Sequence, residues 1–189
     1  MVKQRLFIRT GSIILLFVFV ALPFRGLSQP SEYLLKAVFL EKISRFIEWP
    51  ENRAASSQEE NEFVIGIAGD NPFGPNLNQL YKDQKIKNKN VKIKYLSSVQ
   101  DLEGCHLLFI APSDKGEVQQ LIQSVKKKPI LTVSDSDELR GAGVIINLLV
   151  KDKKIGLEID EKAVQDSGLQ VSYLLLKEAS IIHPVRAQE

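Results

Sequence analysis

The segment that most constrains the fold is residues 106–110, His-Leu-Leu-Phe-Ile, a run that is apolar at nearly every position. Neighbouring side chains of a strand point to opposite faces, so this run predicts a strand that is covered on both faces. Two further apolar runs, 63–68 and 130–133, alternate with segments of helical periodicity. Because strands that alternate with helices form largely parallel sheets with helices on both faces, the sequence predicts an α/β fold, a three-layer sandwich.

The other predicted elements complete this sandwich. Helices are expected over 33–49, 74–81, 113–127 and 161–179, and a half-exposed strand is expected over 91–96. Residues 144–150 and 154–159 resemble two strands joined by a short polar connection, which is typical of an antiparallel hairpin. We therefore expect a mixed, mostly parallel sheet with a C-terminal antiparallel hairpin.

Two of the predicted helices have a defined inner face. In the first, the residues expected to face the core are Leu35, Phe39, Ile43, Phe46 and Ile47, with Ser31 as the N-cap and Pro50 at the end. In the last, the residues expected to face the core are Ala163, Val164, Leu174 and Leu175. Gly168 is expected to interrupt this last helix.

The N-terminal residues have the pattern of a secretory signal peptide. A basic stretch precedes the largely apolar run 11–22, which is shorter than the roughly 20 residues that span a bilayer. Small residues at Gly26 and Ser28 suit cleavage after Ser28. We expect residues 1–28 to be a signal peptide and 29–189 to form a single domain outside the cytoplasm. The alternative is an uncleaved membrane anchor.

Removal of this leader changes the charge of the protein. The full chain has 25 basic and 23 acidic residues, and residues 1–28 hold four of the basic ones and none of the acidic ones. The mature chain therefore has 21 basic and 23 acidic residues, a formal charge of −2. The basic isoelectric point belongs to the leader, so nucleic acid is not expected as a partner.

The sequence contains few residues suited to catalysis or metal binding. Its two histidines are His106 and His183, and the spacings HExxH, CxxC and GxSxG, which mark zinc sites and serine nucleophiles, are missing. The single cysteine, Cys105, excludes a disulfide within the chain, and we expect a small buried hydrophobe there. The alternative is a reactive or intermolecular thiol. We expect no metal, no cofactor and no enzymatic activity.

A ligand crevice is predicted at the edge of the sheet where the strands end. Asp70 and Asn71 follow the first buried strand, at the carboxyl edge where open α/β sheets bind their ligands. Phe73, Arg140 and Asn147 are expected to join them there. The alternative is that Asp70 and Asn71 cap the next helix or form an Asx turn.

A hydrolase or phosphatase that uses Asp70 is a further alternative. Asp135 and Asp137 follow the fourth predicted strand and are candidates to join Asp70 in a carboxylate cluster. No lysine follows a strand in the manner of a receiver domain. The sequence therefore favours binding over catalysis.

A protein-binding surface is predicted where the first helix ends. Phe46, Trp49 and Pro50 are the candidate contact residues, because aromatic side chains dominate the hot spots of protein interfaces. The alternative is that both aromatic side chains belong to the core.

Several segments, in order along the chain, carry a resemblance to a known family. They are 36–40, 48–50, 65–74, 104–110, 130–135 and 143–148. A helix that ends in Trp-Pro, a Gly-Asp-Asn-Pro-Phe-Gly turn and Gly-Cys-His before a strand together resemble the YfiR family of periplasmic regulators, also known as a domain of unknown function. The resemblance covers nearly all of residues 32–182.

The resemblance implies a non-enzymatic repressor. A YfiR-like chain is expected to bind the periplasmic domain of an inner-membrane diguanylate cyclase and hold it inactive, which limits cyclic di-GMP synthesis and biofilm formation. Homodimers and disulfides occur in the family; Cys105 matches the family's cysteine, but the chain has no second cysteine for an internal bridge. The alternative function is a small-ligand sensor module that works with a membrane histidine kinase.

Overall fold

The structure is a computed structural model, and it describes residues 32–50, 61–111, 115–151 and 154–182. The strands are β1 (Ile47–Glu48), β2 (Glu62–Ala68), β3 (Lys85–Ile86), β4 (Lys89–Leu96), β5 (Leu107–Ile110), β6 (Leu131–Ser134), β7 (Ile146–Lys151), β8 (Lys154–Asp160), β9 (Gln170–Val171) and β10 (Ser180–Ile182). The helices are α1 (Glu32–Arg45), α2 (Asn76–Tyr81), α3 (Lys115–Val125), α4 (Glu161–Ser167) and α5 (Tyr173–Glu178). The predicted signal peptide, the predicted cap Ser31 and His183 lie outside the described residues. Within the described ranges, none of the helices has the length and apolar character needed to span a bilayer.

Eight strands form one mixed sheet in the order β10-β8-β7-β6-β5-β2-β4-β3. The pairings that join β4, β2, β5, β6 and β7 are parallel, and so is that of β10 with β8. β7 and β8 form an antiparallel hairpin, in which Ile146 lies opposite Ile159, and β3 and β4 are also antiparallel. The predicted mixed, mostly parallel sheet with a C-terminal hairpin is confirmed.

The core lies on both faces of this sheet, as β5 shows. Leu107 and Phe109 belong to one hydrophobic cluster and Leu108 and Ile110 to another, and all four are fully buried. The first cluster takes side chains from α1, α2, α4 and α5, and the second takes them from α3. Because helices cover both faces, the three-layer α/β sandwich is confirmed.

The first helix is shorter than predicted. α1 ends at Arg45, and Ile47 and Glu48 pair with β9 in a separate two-stranded antiparallel sheet. The carbonyl of Phe46 accepts a hydrogen bond from the backbone N–H of Ser172 at 2.8 Å. This pairing with a distant segment ends the helix several residues before Pro50. The prediction that the helix reaches residue 49 is therefore wrong for its last turn.

The inner face of α1 also differs from the prediction. Its buried residues are Lys36, Ala37, Leu40, Glu41, Ile43 and Ser44, so of the residues predicted to face the core within α1 only Ile43 is fully buried. Leu35 is 37 % exposed, and Phe39 is half-buried. Lys36 and Glu41 tolerate burial because each forms an ion pair, Lys36 with Glu32 and Asp135, and Glu41 with Arg45. Periodicity alone places such charged residues outside.

The predicted last helix is two helices. Gly168 ends α4 in the left-handed conformation with a φ of +74°, and β9 separates α4 from α5. The interruption is confirmed, and so is the burial of Ala163 and Leu175. Leu174, predicted to face the core, is 62 % exposed. The helix restarts at Tyr173 after β9, so that Leu175 faces the core while its neighbour Leu174 faces solvent.

Tyr81 fastens α2 to α1. Its hydroxyl is buried and donates a hydrogen bond to the carbonyl of Ala37 at 2.8 Å. Burial, assisted by the negative charge of Glu41, raises the pKa of Tyr81 well above its ordinary value. The folded state therefore keeps this phenol neutral at a pH at which the unfolded chain ionises it.

We predict that Tyr81→Phe lowers the free energy of unfolding at neutral pH by about 1 kcal/mol, because the hydrogen bond is lost. A raised folded-state pKa gives stability that is complete below the unfolded pKa of about 10 and is lost as the pH rises toward the folded pKa. Above pH ~10 the wild-type protein should therefore lose more stability than Tyr81→Phe. Urea unfolding of both proteins at neutral pH and at about pH 11 measures this; a difference that does not change with pH would contradict it.

Candidate functional site

The exit of α1 is held by a cluster of aromatic rings. The indole Nε1–H of Trp49 donates a hydrogen bond to the carbonyl of His106 at 3.2 Å. The Trp49 ring meets that of Phe63 edge to face at 5.5 Å between centroids, and Phe63 stacks on His106 at 4.8 Å. The ammonium of Lys87 lies 5.5 Å from the centre of the Trp49 ring. Trp49 is thus half-buried, with one part of the ring in the core and another at the surface.

His106 joins the two central strands. Its backbone N–H donates to the carbonyl of Val64 at 2.9 Å, and its Nδ1 accepts from the backbone N–H of Val64 at 3.1 Å. Because Nδ1 acts as an acceptor, the neutral imidazole carries its proton on Nε2. One of the two histidines of the chain is therefore used to align β5 with β2.

Cys105 packs in the core beside a glycine. The residue is fully buried, and its Sγ lies 3.7 Å from the carbonyl oxygen of Asp101. A side chain at Gly66 would place its Cβ 3.0 Å from this sulfur and 2.9 Å from Cδ1 of Leu96. The small thiol and the glycine thus fill one space together, which favours the interpretation of Cys105 as a small buried hydrophobe.

A buried ion pair ties α1 to the end of β6. The Nζ atom of Lys36 lies 2.6 Å from Oδ2 of Asp135 and 2.5 Å from Oε1 of Glu32, and the side chains of Lys36 and Asp135 are each 4 % exposed. Burial alone would lower the pKa of Lys36, but the hydrogen bonds to Asp135 and Glu32 outweigh it and raise that pKa. Burial and the charge of Asp135 raise the pKa of Tyr33, whose ring lies 4.5 Å from the ammonium.

The predicted carboxylate cluster does not form. Asp135 is committed to Lys36, Asp137 lies in a short exposed 3₁₀ turn, and Asp70 is exposed after β2. Across the described ranges, no group of three or more His, Cys, Asp or Glu side chains is placed to hold a metal ion. The idea that these three carboxylates act together is therefore wrong.

The predicted crevice residues fall into two groups, a first group after β2 (Asn71 and Phe73) and a second group at β7 and β8 (Arg140 and Asn147). Asn71 forms the Asx turn of the alternative interpretation, because its Oδ1 accepts from the backbone N–H of Phe73 at 3.0 Å. Phe73 is buried and meets Phe109 edge to face at 4.7 Å, so it belongs to the core. Arg140 and Asn147 lie at the β7–β8 end of the sheet, beyond β5 and β6.

The second group includes a residue that the sequence analysis missed, Glu158. A guanidinium nitrogen of Arg140 lies 2.5 Å from Oε1 of Glu158, and Glu158 lies directly opposite Asn147 across the hairpin. Oε2 of Glu158 and both amide atoms of Asn147 are buried without a hydrogen-bond partner. Such groups cost about 1–3 kcal/mol each unless water or a ligand satisfies them. Glu158 lies between Leu157 and Ile159 in β8, and this placement is the signal that could have identified it.

Two openings share Val99 in their lining. One, of about 240 Å³, lies at the carboxyl ends of β2, β4 and β5, where the strand order reverses, and Gly69, Ser98 and Glu117 are among its lining residues. This is the edge at which the crevice was predicted. The other, of about 500 Å³, lies before β5 and β6, and its lining includes Pro50 and Cys105.

The comparisons with known proteins identify one family. A family model described as YfiR/HmsC-like matches residues 33–180, a range that includes nearly all of the described helices and strands. No curated protein matches the chain.

We predict that Asp135→Asn destabilises the protein by about 3 kcal/mol, because it leaves the ammonium of Lys36 buried without its closest buried partner. Adding Lys36→Met should recover part of this loss, since no buried charge then remains. Lys162→Met, which breaks the exposed pair of Lys162 with Asp166, is the control and should change stability by less than about 0.5 kcal/mol. Denaturant unfolding of the four proteins measures this; equal losses for Asp135→Asn and the control would contradict it.

Proposed function

The chain belongs to the YfiR/HmsC-like family, and from this we propose that it is a periplasmic repressor that binds an inner-membrane diguanylate cyclase and lowers cyclic di-GMP synthesis. The family consists of periplasmic regulators of cyclic di-GMP signalling, and its role is regulatory rather than catalytic. The match over residues 33–180 is the observation that carries the proposal. The experiment below tests whether a diguanylate cyclase is the target.

The way the fold uses its titratable groups supports action through the surface. The Nδ1 of His106 accepts a backbone hydrogen bond, Lys36 and Asp135 neutralise each other, and the phenol of Tyr81 binds a carbonyl. Each of these buried groups serves the fold itself. A protein of this kind acts by presenting a shaped surface to a partner.

The surface that we propose for the cyclase surrounds the exit of α1. Phe46 is half-buried and lies where β1 meets the segment before α5, and Pro50 lines the larger of the two openings. Trp49 between them is anchored by its hydrogen bond to His106. A surface whose aromatic residues are already fixed loses little conformational entropy on binding.

We predict that cells lacking this chain have raised cyclic di-GMP, and that the exported protein restores the low level, whereas a version without residues 1–28 does not. Glu48→Lys, an exposed change beside Trp49, should weaken repression, because it reverses a charge within the proposed contact surface. Asp83→Lys makes the same charge change at an exposed position after α2 and is the matched control. If deletion of the chain left the cyclic di-GMP level unchanged, the proposal would be contradicted. If both variants repressed equally, the proposed contact surface would be contradicted.

A small-ligand sensor that works with a membrane histidine kinase is the second candidate function. The observation that favours it is the pair of Asn147 and Glu158, whose amide atoms and Oε2 are buried without partners beside the exposed Arg140. A compact polar molecule with both hydrogen-bond donors and acceptors would satisfy them.

We predict for this sensor that a polar metabolite raises the melting temperature of the wild-type domain and not that of Asn147→Leu. The probes are a panel of free sugars, organic acids and nucleotides at millimolar concentration. Without ligand, Asn147→Leu should be at least as stable as the wild type, because it removes an unsatisfied amide. If no compound shifts the wild type, or if both proteins shift equally, this second candidate fails.

A further inference from the structure

The first turn of α5 presents two large apolar side chains to solvent. Tyr173 is 74 % exposed and Leu174 is 62 % exposed, more than any other large apolar residue of the described ranges. The next residue, Leu175, is only 6 % exposed and packs in the core. The helix is thus firmly seated on one side while its other side is apolar and uncovered.

The backbone that carries this exposed pair is held by hydrogen bonds. The side-chain hydroxyl of Ser172 accepts a hydrogen bond from the backbone N–H of Leu174 at 3.3 Å, which caps the helix. The backbone N–H of Ser172 binds the carbonyl of Phe46, and β9 just before it pairs with β1. Tyr173 and Leu174 therefore stand next to the exit of α1, on a turn that does not have to become ordered when a partner binds.

The size of the exposed pair indicates the kind of partner. A tyrosine buries about 150–250 Å² when it is covered, whereas a stable interface needs about 800 Å² from each partner. Two side chains cannot supply this area alone, whichever partner they meet. They have the size and composition of a hot spot at the centre of a reversible contact.

The charges around the pair indicate the charge that a partner surface should carry. Lys177 lies one turn along α5 from Tyr173 and is exposed, and it forms no ion pair with another described residue. Lys42, also exposed, lies one turn before Phe46 at the end of α1. Two exposed acidic residues lie on the other side: Glu178 is one turn from Leu174, and Glu48 lies opposite Gln170 in β9. The basic side of the pair is therefore that of Tyr173 and Lys177. The fitting surface is an apolar pocket with an acidic group next to the place that Tyr173 occupies.

We infer that Tyr173 and Leu174 are the anchor that enters such a pocket on the periplasmic domain of the inner-membrane partner, with Lys177 facing the acidic group. The inference rests on the proposed function, because it assigns the residues through which that function is exerted. The predicted surface of Phe46, Trp49 and Pro50 is thereby extended to α5, where Leu174 had been expected to face the core.

Site-specific photo-crosslinking in intact cells tests this directly. Benzoylphenylalanine in place of Tyr173 preserves an aromatic ring and should crosslink, on illumination, to an inner-membrane protein with a periplasmic domain, identified by mass spectrometry. The matched control is the same probe in place of Tyr95, an aromatic residue on β4 that is 50 % exposed. The control should give a yield at least tenfold lower.

Two substitutions make the test specific. Leu174→Asp should reduce the yield at position 173 about tenfold or more, and Lys177→Glu should reduce it several-fold. Both proteins should keep the melting temperature of the wild type, because these side chains are exposed. A crosslink to a second copy of the chain, or to no membrane protein, would overturn the inference, and so would equal yields at positions 173 and 95. The readout does not involve cyclic di-GMP, so a membrane partner that is not a cyclase would contradict the proposed function and leave the anchor in place.

Discussion

The structure depends on the way in which its first helix leaves the core, and the contact that fixes this exit is the hydrogen bond from the indole of Trp49 to the carbonyl of His106. His106 in turn uses its backbone and its ring to hold Val64, so one residue links the exit to both central strands. The space beneath it is filled by Cys105 against Gly66.

The consequence of this anchoring is a platform at one end of the molecule. Because the chain after α1 is fixed, β1 can pair with β9. The hydrogen bond between the backbone N–H of Ser172 and the carbonyl of Phe46 then links the first helix to the last. The buried pair of Lys36 with Asp135 secures α1 at its other end. Binding surfaces built on elements that are held at both ends discriminate between partners by shape, since they cannot adapt to a poor one.

The sequence predicted the fold class and the sheet, because the runs 63–68, 106–110 and 130–133 carry a local pattern that burial on two faces requires. It did not predict β1 with β9, because two-residue strands have no periodicity and form only when distant segments meet. The turn of the β3–β4 hairpin was missed for a related reason: Lys87 and Asn88 adopt positive φ values of 49° and 64°, yet they lack the glycine that usually marks such a turn. The predicted crevice brought together residues that the structure separates: Phe73 packs in the core, whereas Arg140 and Asn147 lie beside Glu158 at β7 and β8, and local patterns do not encode this strand order. The exposure of Leu174 depends on the helix restart at Tyr173, which the helical periodicity of 161–179 did not indicate.

The proposed docking surface joins the exit of α1 to the first turn of α5. Hydrogen exchange of the purified domain, residues 29–189, alone and with the purified periplasmic domain of the proposed cyclase partner, measures whether this surface is covered. Backbone amides within 46–50 and 172–178 should exchange more slowly in the complex, and exchange at β3 and β4 should be unchanged. Protection confined to the opposite edge of the sheet, or no protection at saturating partner, would contradict the proposed surface.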